Sequence, residues 1–356
     1  MAYDIEPQEV LPAIGEVLEG RYVLESCISR GGMGAVFRAF DQRSGGRVAI
    51  KFALPHVLDG AERTFREADI LAEVSETPDS GIPSLLDFGV LGDSAYFVME
   101  LVTGDDLETY LSRHHRVAPK RAVEIAVSAA YTLANVHSKH IVHRDVKPAN
   151  LVMTESGEVS LLDFGIACPF TPEGGEADVT GSPRYMSPEQ IAGRAVDHRS
   201  DIWSLGVTLY ELLVGAPPFN RPTLTGIMSA MLTDRIVPPS ELVPEVSPEL
   251  DEIVLRCLAM DPSHRYDDAM SLVADLLSLE HLSTQVDESP CDSGVMRIGA
   301  VVPAPVESAV AFVESTLRSN EGEPARVGAD ATLEEVGSKT TAFPLLSLTK
   351  EASVAA

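Results

Sequence analysis

The chain has 356 residues, of which 27 are Lys or Arg and 54 are Asp or Glu, giving a formal net charge of −27. Hydrophobic residues make up 45% and charged residues 23%, enough apolar material for a real core, so disorder throughout is excluded. Nucleic acid is an unsuitable partner, because binding it is driven by Lys and Arg displacing counterions from phosphates. The acidity is not a tail effect either, since residues 281–356 contribute only 11 acidic against 5 basic side chains.

Taken in chain order, residues 1–20 read as a short acidic leader without the basic-then-apolar pattern of a secretory signal. From 21 to about 280 hydrophobic periodicity is dense. Up to Met99 it is mostly β-like, with runs at 22–28, 35–40, 48–52, 85–90 and 95–99 and one helical stretch at 61–75. Beyond Leu101 amphipathic helices take over, for example at 121–137 and 200–214. This predicts an α+β, bilobal domain: a small β-rich lobe at 21–99, a connection at 100–104 and a larger helical lobe at 105–280, with a cleft between the lobes.

Residues 281–356 are rich in Ser, Thr, Glu, Pro and Ala, with Phe312 and Phe343 as their aromatics. That composition buries too little to offset the entropy of ordering and reads as a mostly disordered tail. Within it Val306, Val310, Val313 and Leu317 recur at helical spacing, either as a docking helix for a regulatory partner or as a transient helix with no role. No apolar run approaches the roughly 18 residues of a membrane span. Cys27, Cys168, Cys257 and Cys291 lack metal-ligand spacing and suit a reducing compartment. A cytoplasmic protein is the expectation, and nothing in the sequence sets an oligomeric state.

Three motifs carry chemistry. The first is Ile28-Ser29-Arg30-Gly31-Gly32-Met33-Gly34-Ala35-Val36, between two predicted strands, where glycines let the backbone lie close over phosphates and donate N–H groups. The second is Val48-Ala49-Ile50-Lys51, an apolar strand ending in a lysine that needs a counter-charge. On the helix at 61–75, Glu67, Ile70, Leu71 and Val74 share one face, so Glu67 sits on the core stripe and can pair with Lys51, aiming its ammonium at a phosphate. The third is His143-Arg144-Asp145-Val146-Lys147-Pro148-Ala149-Asn150 followed by Asp163-Phe164-Gly165, with apolar runs 151–153 and 159–162 between them as a predicted hairpin. Asn150 and Asp163 offer two oxygen ligands, which with phosphate oxygens and water suit Mg²⁺, or Mn²⁺ in its place. Asp145 is free to orient and deprotonate a hydroxyl. Lys147 adds positive charge where a transferred phosphoryl group develops negative charge.

On these motifs the sequence resembles the eukaryotic-type (Hanks-type) protein kinases over about 260 residues. It is most similar to the bacterial serine/threonine members, judging by Gly31-Gly32-Met33-Gly34 and Tyr185-Met186-Ser187-Pro188-Glu189-Gln190. The resemblance implies ATP as phosphoryl donor, Lys51 on the α/β-phosphates, Glu67 holding Lys51, Asp145 as catalytic base, Asn150 and Asp163 as metal ligands and Lys147 on the γ-phosphate. It implies a hinge at Val98-Met99-Glu100-Leu101-Val102, with adenine on the backbone of Glu100 and Val102 and Met99 as gatekeeper. The ring would lie between Ile28, Val36, Ala49 and Leu151, with Asp106 near the ribose. Glu189 is similar to the residue that pairs with a late arginine, here Arg265, and Asp201 to the one that steadies the catalytic loop.

Two positions depart from the family pattern: Ser29 replaces the first loop glycine, and Ser182 stands where bacterial members carry threonine, keeping the hydroxyl expected to bridge Asp145 and Lys147. Lysine two residues after Asp145 resembles serine/threonine rather than tyrosine kinases. The expected activity is therefore transfer of the γ-phosphoryl group of ATP to Ser/Thr hydroxyls of protein substrates, the chain itself included. Arg144, next to Asp145, awaits an anion, which phosphate on Thr180 or Thr171 would supply; alternatively Glu173, Glu176 and Asp178 satisfy the local charge. Two other functions remain open at this point, a nucleotide-binding scaffold without transfer chemistry and phosphotransfer to a small molecule.

Overall fold

The structure, a computed structural model, describes residues 11–285 apart from 32–33, 54–59, 77–79, 93, 155–156, 166 and 170–181. The chain divides into two units, Met1–Ser289 and Pro290–Ala356. Residues 1–10 and the whole second unit, with Val306, Val310, Phe312, Val313, Leu317 and Phe343, lie outside the described residues.

The upper lobe is one sheet and one helix. Strands β1 (Val17–Leu18), β2 (Tyr22–Arg30), β3 (Gly34–Asp41) and β4 (Arg47–Ala53) precede helix α1 (Gly60–Val74), and β5 (Leu85–Leu91) and β6 (Ser94–Glu100) follow it. The six strands lie in the order β1-β2-β3-β4-β6-β5, all antiparallel. β1 falls inside the stretch that composition marks as an acidic leader: its Leu18 is buried in the sheet core, and two residues are too few to show against the charge around them.

Alternation on β3 and β4 builds two faces. Ala35, Phe37, Ala39, Val48, Ile50 and Phe52 fill one core, while Val36, Ala49 and Lys51 point the other way. A second core forms where Ala68, Ile70, Leu71 and Val74 of α1 meet Phe97 and Phe164. Arg21 fastens the sheet edge-on, holding both oxygens of Asp41 at 2.7 and 2.8 Å and Asp87 of β5 at 3.0 Å.

The lower lobe begins with β7 (Gly104–Asp106), α2 (Leu107–His114) and α3 (Pro119–Ser138). There follow β8 (Ile141–Val142), the hairpin β9 (Leu151–Thr154) and β10 (Val159–Leu161), and β11 (Cys168–Pro169). Helices α4 (Pro188–Ile191), α5 (Arg199–Val214), α6 (Leu224–Thr233), α7 (Pro239–Leu242), α8 (Pro248–Cys257) and α9 (Ala269–Gln285) complete it. Helix α5 is buried nearly all round, as a helix at the centre of a bundle must be. A Cβ at Gly206 would stand 2.5 Å from Cys257 Cβ, so glycine lets α5 and α8 cross at close range.

One ion pair ties α4 to the base of this lobe. Arg265 Nη1 and Nη2 bind the two oxygens of Glu189 at 2.7 and 2.8 Å, with both side chains almost fully buried. Burial alone would raise the Glu189 pKa, but the bonds from Arg265 outweigh it and hold the carboxyl below its ordinary range. Removing one partner leaves a buried charge unpaired, so Arg265→Met is expected to destabilise the domain by about 3–5 kcal/mol in urea unfolding at neutral pH. Because the Glu189 pKa is depressed, the pair stabilises above the unfolded carboxylate value of 4.5 and its contribution is lost as pH falls below that. The gap between wild type and Arg265→Met should therefore narrow in acid. A gap unchanged with pH would show that the pair contributes packing only.

Candidate active site

Two groups of side chains form the site, one under the sheet and one on the loop that follows β8. In the first, β4 delivers Lys51 and α1 delivers Glu67. Lys51 Nζ donates to Glu67 Oε1 at 2.6 Å and to Asp163 Oδ1 at 2.7 Å. Asp163 follows β10 with φ of +81°, a left-handed backbone rare for a non-glycine residue, and the Gly165 N–H donates to its Oδ1 at 3.2 Å.

One ammonium thus serves two carboxylates. Burial alone would lower the Lys51 pKa, but the charges of Glu67 and Asp163 together hold it above the ordinary lysine range. Asp163, close to Lys51, stays well below the usual carboxylate range despite its partial desolvation. Glu67 is the partner left to titrate: burial first, and repulsion from Asp163 second, push it up to about 7 even beside Lys51.

In the second group Asp145 is held by three neighbours. Lys147 Nζ donates to its Oδ2 at 2.6 Å, Asn150 Nδ2 to the same oxygen at 3.2 Å and the Ser182 N–H to Oδ1 at 3.2 Å. Lys147 Nζ also reaches Ser182 Oγ at 2.8 Å, so the hydroxyl bridges toward Asp145 through the lysine. The two groups are joined by the β9–β10 hairpin: the Leu162 N–H donates to the Asn150 carbonyl at 2.8 Å, and His143 Nε2 lies 3.0 Å from the Leu162 carbonyl.

Beneath them lies Asp201, in the first turn of α5 and wholly buried. It accepts the backbone N–H groups of His143 and Arg144, both at 2.8 Å, and His137 Nε2 at 2.9 Å. These bonds outweigh burial and hold its carboxyl below the ordinary range. Arg144 is left-handed at φ of +69°, and Gln190 Nε2 donates to its carbonyl at 3.0 Å while Gln190 Oε1 accepts the Ser187 N–H at 2.9 Å. Sequence reasoning missed His137 and Gln190. The signal for His137 was present, because it continues the buried Ala126, Ala130, Leu133 row of α3 and a polar residue there needs a buried partner.

The nucleotide-side residues are placed as follows. Ile28, Ser29 and Arg30 end β2 on the exposed side, with a register shift between Cys27 and Ser29. The Gly31 N–H closes the hairpin on the Gly34 carbonyl at 2.9 Å. A Cβ at Gly34 would stand 2.3 Å from the Phe52 carbonyl, so only glycine lets the loop pass this close to β4. Ala35 is buried in the upper core, whereas Val36 pairs with Lys51 on the opposite face. Met99 pairs with Ala49, and the Glu100 N–H donates to the Ser84 carbonyl. Val102 has no backbone partner among the described residues. Asp106 caps α2, its two oxygens accepting from Thr109 N and Oγ1 at 2.7 and 2.8 Å, and Leu151 is fully buried in the lower core. Gly32, Met33, Thr171 and Thr180 lie outside the described residues.

The donor set fits a hard divalent cation. Asn150 spends its amide nitrogen on Asp145, leaving Oδ1 without a donor among the described residues, and half of the Asp163 side chain is open to solvent. No group of three or more His, Cys, Asp or Glu side chains able to hold a metal occurs among the described residues. Most of the ligand oxygens would therefore come from phosphate and water.

Comparison with known proteins agrees with this geometry. Residues 22–276 match the family described as protein kinase domain. The chain is 34% identical over 345 residues to the serine/threonine-protein kinase pkn3 of Myxococcus xanthus, covering 92% of this chain and 60% of that protein. It is 37% identical over 271 residues to the serine/threonine-protein kinase PknB of Mycolicibacterium smegmatis, covering 73% and 43%. Against PknB of Mycobacterium tuberculosis it is 35% identical over 275 residues, covering 74% and 44%. The chain thus spans about two-fifths to three-fifths of the length of these curated relatives.

Glu67 responds to pH with the opposite sign to Glu189. Its pKa in the fold lies above the ordinary carboxylate value of 4.5, so ionising it costs stability, and the cost builds as pH rises from about 4.5 through about 7. Glu67→Gln escapes that cost. The melting temperature of wild type is expected to fall relative to Glu67→Gln between about pH 5 and 8. A difference that stays flat would contradict the shared ammonium.

Proposed function

Since the chain belongs to the protein kinase family, we propose that it transfers the γ-phosphoryl group of ATP to serine or threonine hydroxyls of protein substrates, itself included. The observation that carries this is the convergence of Lys51, Asp163, Asn150 and Asp145 through one hairpin, with no charged group missing. Lys51, kept cationic and aimed by Glu67, binds the donor's α- and β-phosphates. Asn150 Oδ1 and Asp163 hold Mg²⁺, which supplies charge neutralisation at the phosphates. Asp145 accepts the proton of the attacking hydroxyl as its oxygen bonds to the γ-phosphorus and the bond to the bridging β–γ oxygen breaks, leaving ADP. Lys147 faces the negative charge that gathers on the transferred group, and Ser182 keeps it there.

Adenine binds the open backbone of Val102 and the Glu100 carbonyl, roofed by Ala49 and Val36 and edged by Ile28. Wild type incubated with γ-labelled Mg-ATP and a basic model protein is expected to label Ser and Thr. Asp145→Asn should lower the rate by about 10²–10⁴-fold, and Lys51→Met should do likewise. Nucleotide binding without transfer under any divalent metal would instead establish a scaffold.

Arg144 supports regulation by phosphorylation. Its Nε is buried and has no hydrogen-bond partner among the described residues. An anion delivered by residues 170–181 would complete it, and Thr180 or Thr171 is the proposed acceptor. Mass spectrometry of active enzyme should find phosphate on one of them, and the double Thr→Ala variant should lose most activity. Full activity of that variant would leave the acidic residues of the loop to serve Arg144.

A further inference from the structure

Ser29 stands where the loop motif would carry its first glycine, and the local backbone does not need one there. Ser29 lies in β2 and is not among the residues with positive φ. Gly34, by contrast, has no room for a Cβ beside the Phe52 carbonyl. A side chain at position 29 therefore costs the loop no backbone strain, and its role follows from where it points.

It points into the cleft. Directly opposed residues of antiparallel strands project from the same face of a sheet. Ser29 pairs with Val36 and Val36 pairs with Lys51, so the three form one row across β2, β3 and β4, on the face away from the upper core. A register shift sets this row: from Cys27 to Ser29 the strand β2 advances two residues while β3 advances one, from Phe37 to Val36. Bulges of this kind re-aim side chains beside active sites. Cys27 Sγ donates to the Ser29 carbonyl at 3.4 Å and braces the bulge. Ser29 is exposed, and its hydroxyl has no hydrogen-bond partner among the described residues.

We propose that the Ser29 hydroxyl binds the α-phosphate of the bound nucleotide, a donor that glycine could not supply. This rests on the reading of the chain as a kinase. The level along the strands decides which group is contacted. The next row on the same face, Arg38 with Ala49 and Met99, is level with the proposed adenine site. The Ser29 row is instead that of Lys51, which takes the α- and β-phosphates. Strands about 4.8 Å apart put Ser29 and Lys51 roughly 10 Å from each other across the row, so the two side chains reach the phosphates from opposite sides. The O–H of Ser29 donates to an α-phosphate oxygen, and hydrogen bonds to an ionised acceptor are the strong ones.

Calorimetric titration of the full chain with ATP, ADP, AMP and adenosine in the presence of Mg²⁺ tests this for wild type, Ser29→Ala and Ser29→Thr. Ser29→Ala should bind ATP, ADP and AMP about tenfold more weakly, the loss expected for one hydrogen bond to a charged group, and adenosine as tightly as wild type does. Ser29→Thr, which keeps the hydroxyl on a side chain that suits a strand, should recover most of the loss. Ser29 is exposed, so both variants should keep the wild-type melting temperature in the absence of nucleotide. The proposal is overturned if Ser29→Ala binds the three nucleotides like wild type or more tightly, which would make the side chain an obstruction. It is overturned as well by a loss that extends equally to adenosine, which would place the contact on the sugar, or by one confined to ATP, which would place it on the γ-phosphate. Those results leave the kinase reading standing. Folded wild type that binds none of the four compounds would remove that reading and this inference together.

Discussion

Two backbone N–H groups, those of His143 and Arg144, end on the single buried carboxylate of Asp201, and the site is built outward from that bond pair. Without it Arg144 has no reason to hold a left-handed backbone, a conformation that costs about 1–3 kcal/mol for a side-chain-bearing residue. With it, the chain turns so that Asp145 faces Lys147, Asn150 and Ser182. Asp201 sits on α5, the helix with core on every side, so the loop inherits the rigidity of the lobe. Gln190 secures the same loop from the other direction by holding the Arg144 carbonyl.

The second constraint is scarcity of positive charge. Acidic residues outnumber basic ones two to one, yet the buried carboxylates are matched with care. Glu189 has Arg265 and Asp41 has Arg21, while Asp201 relies on N–H donors. At the cleft the Lys51 ammonium is divided between two carboxylates, as the Arg21 guanidinium is at the sheet, and there the balance is set near neutrality, with Glu67 near 7 and Asp163 well below the usual carboxylate range. In the proposed reaction the phosphates would give Lys51 further anions and leave Asp163 to a metal. The buried Nε of Arg144 has no hydrogen-bond partner among the described residues, and the proposed phosphate would fit the same economy.

Much of this was legible in the sequence. The Glu67, Ile70, Leu71, Val74 stripe predicted a carboxylate on the inner face of α1, and the structure puts it against Lys51. The β9–β10 hairpin was readable from two short apolar runs around Gly157. What could not be read was what long-range packing decides. β1 is two residues long and takes its place from Leu18 reaching the sheet core. Leu151 is sealed in the lower core, and Asp106 has both oxygens engaged by its own helix, because neither burial nor cap geometry follows from spacing. The buried row of α3 pointed to His137, but its partner Asp201 is set by how α5 packs beneath it.

The β9–β10 hairpin joins the upper and lower groups, and the central claim is that one bound nucleotide engages both. Mn²⁺ bound with ATP tests this directly, by paramagnetic broadening of assigned side-chain signals in the magnetic resonance spectrum of the full chain. The account predicts that the Asn150 side-chain amide and the Asp163 and Lys51 side-chain signals vanish together once Mn²⁺ and ATP are both present, while those of α8 and α9 persist. Broadening confined to other acidic surfaces, with Asn150 and Lys51 unaffected, would contradict it.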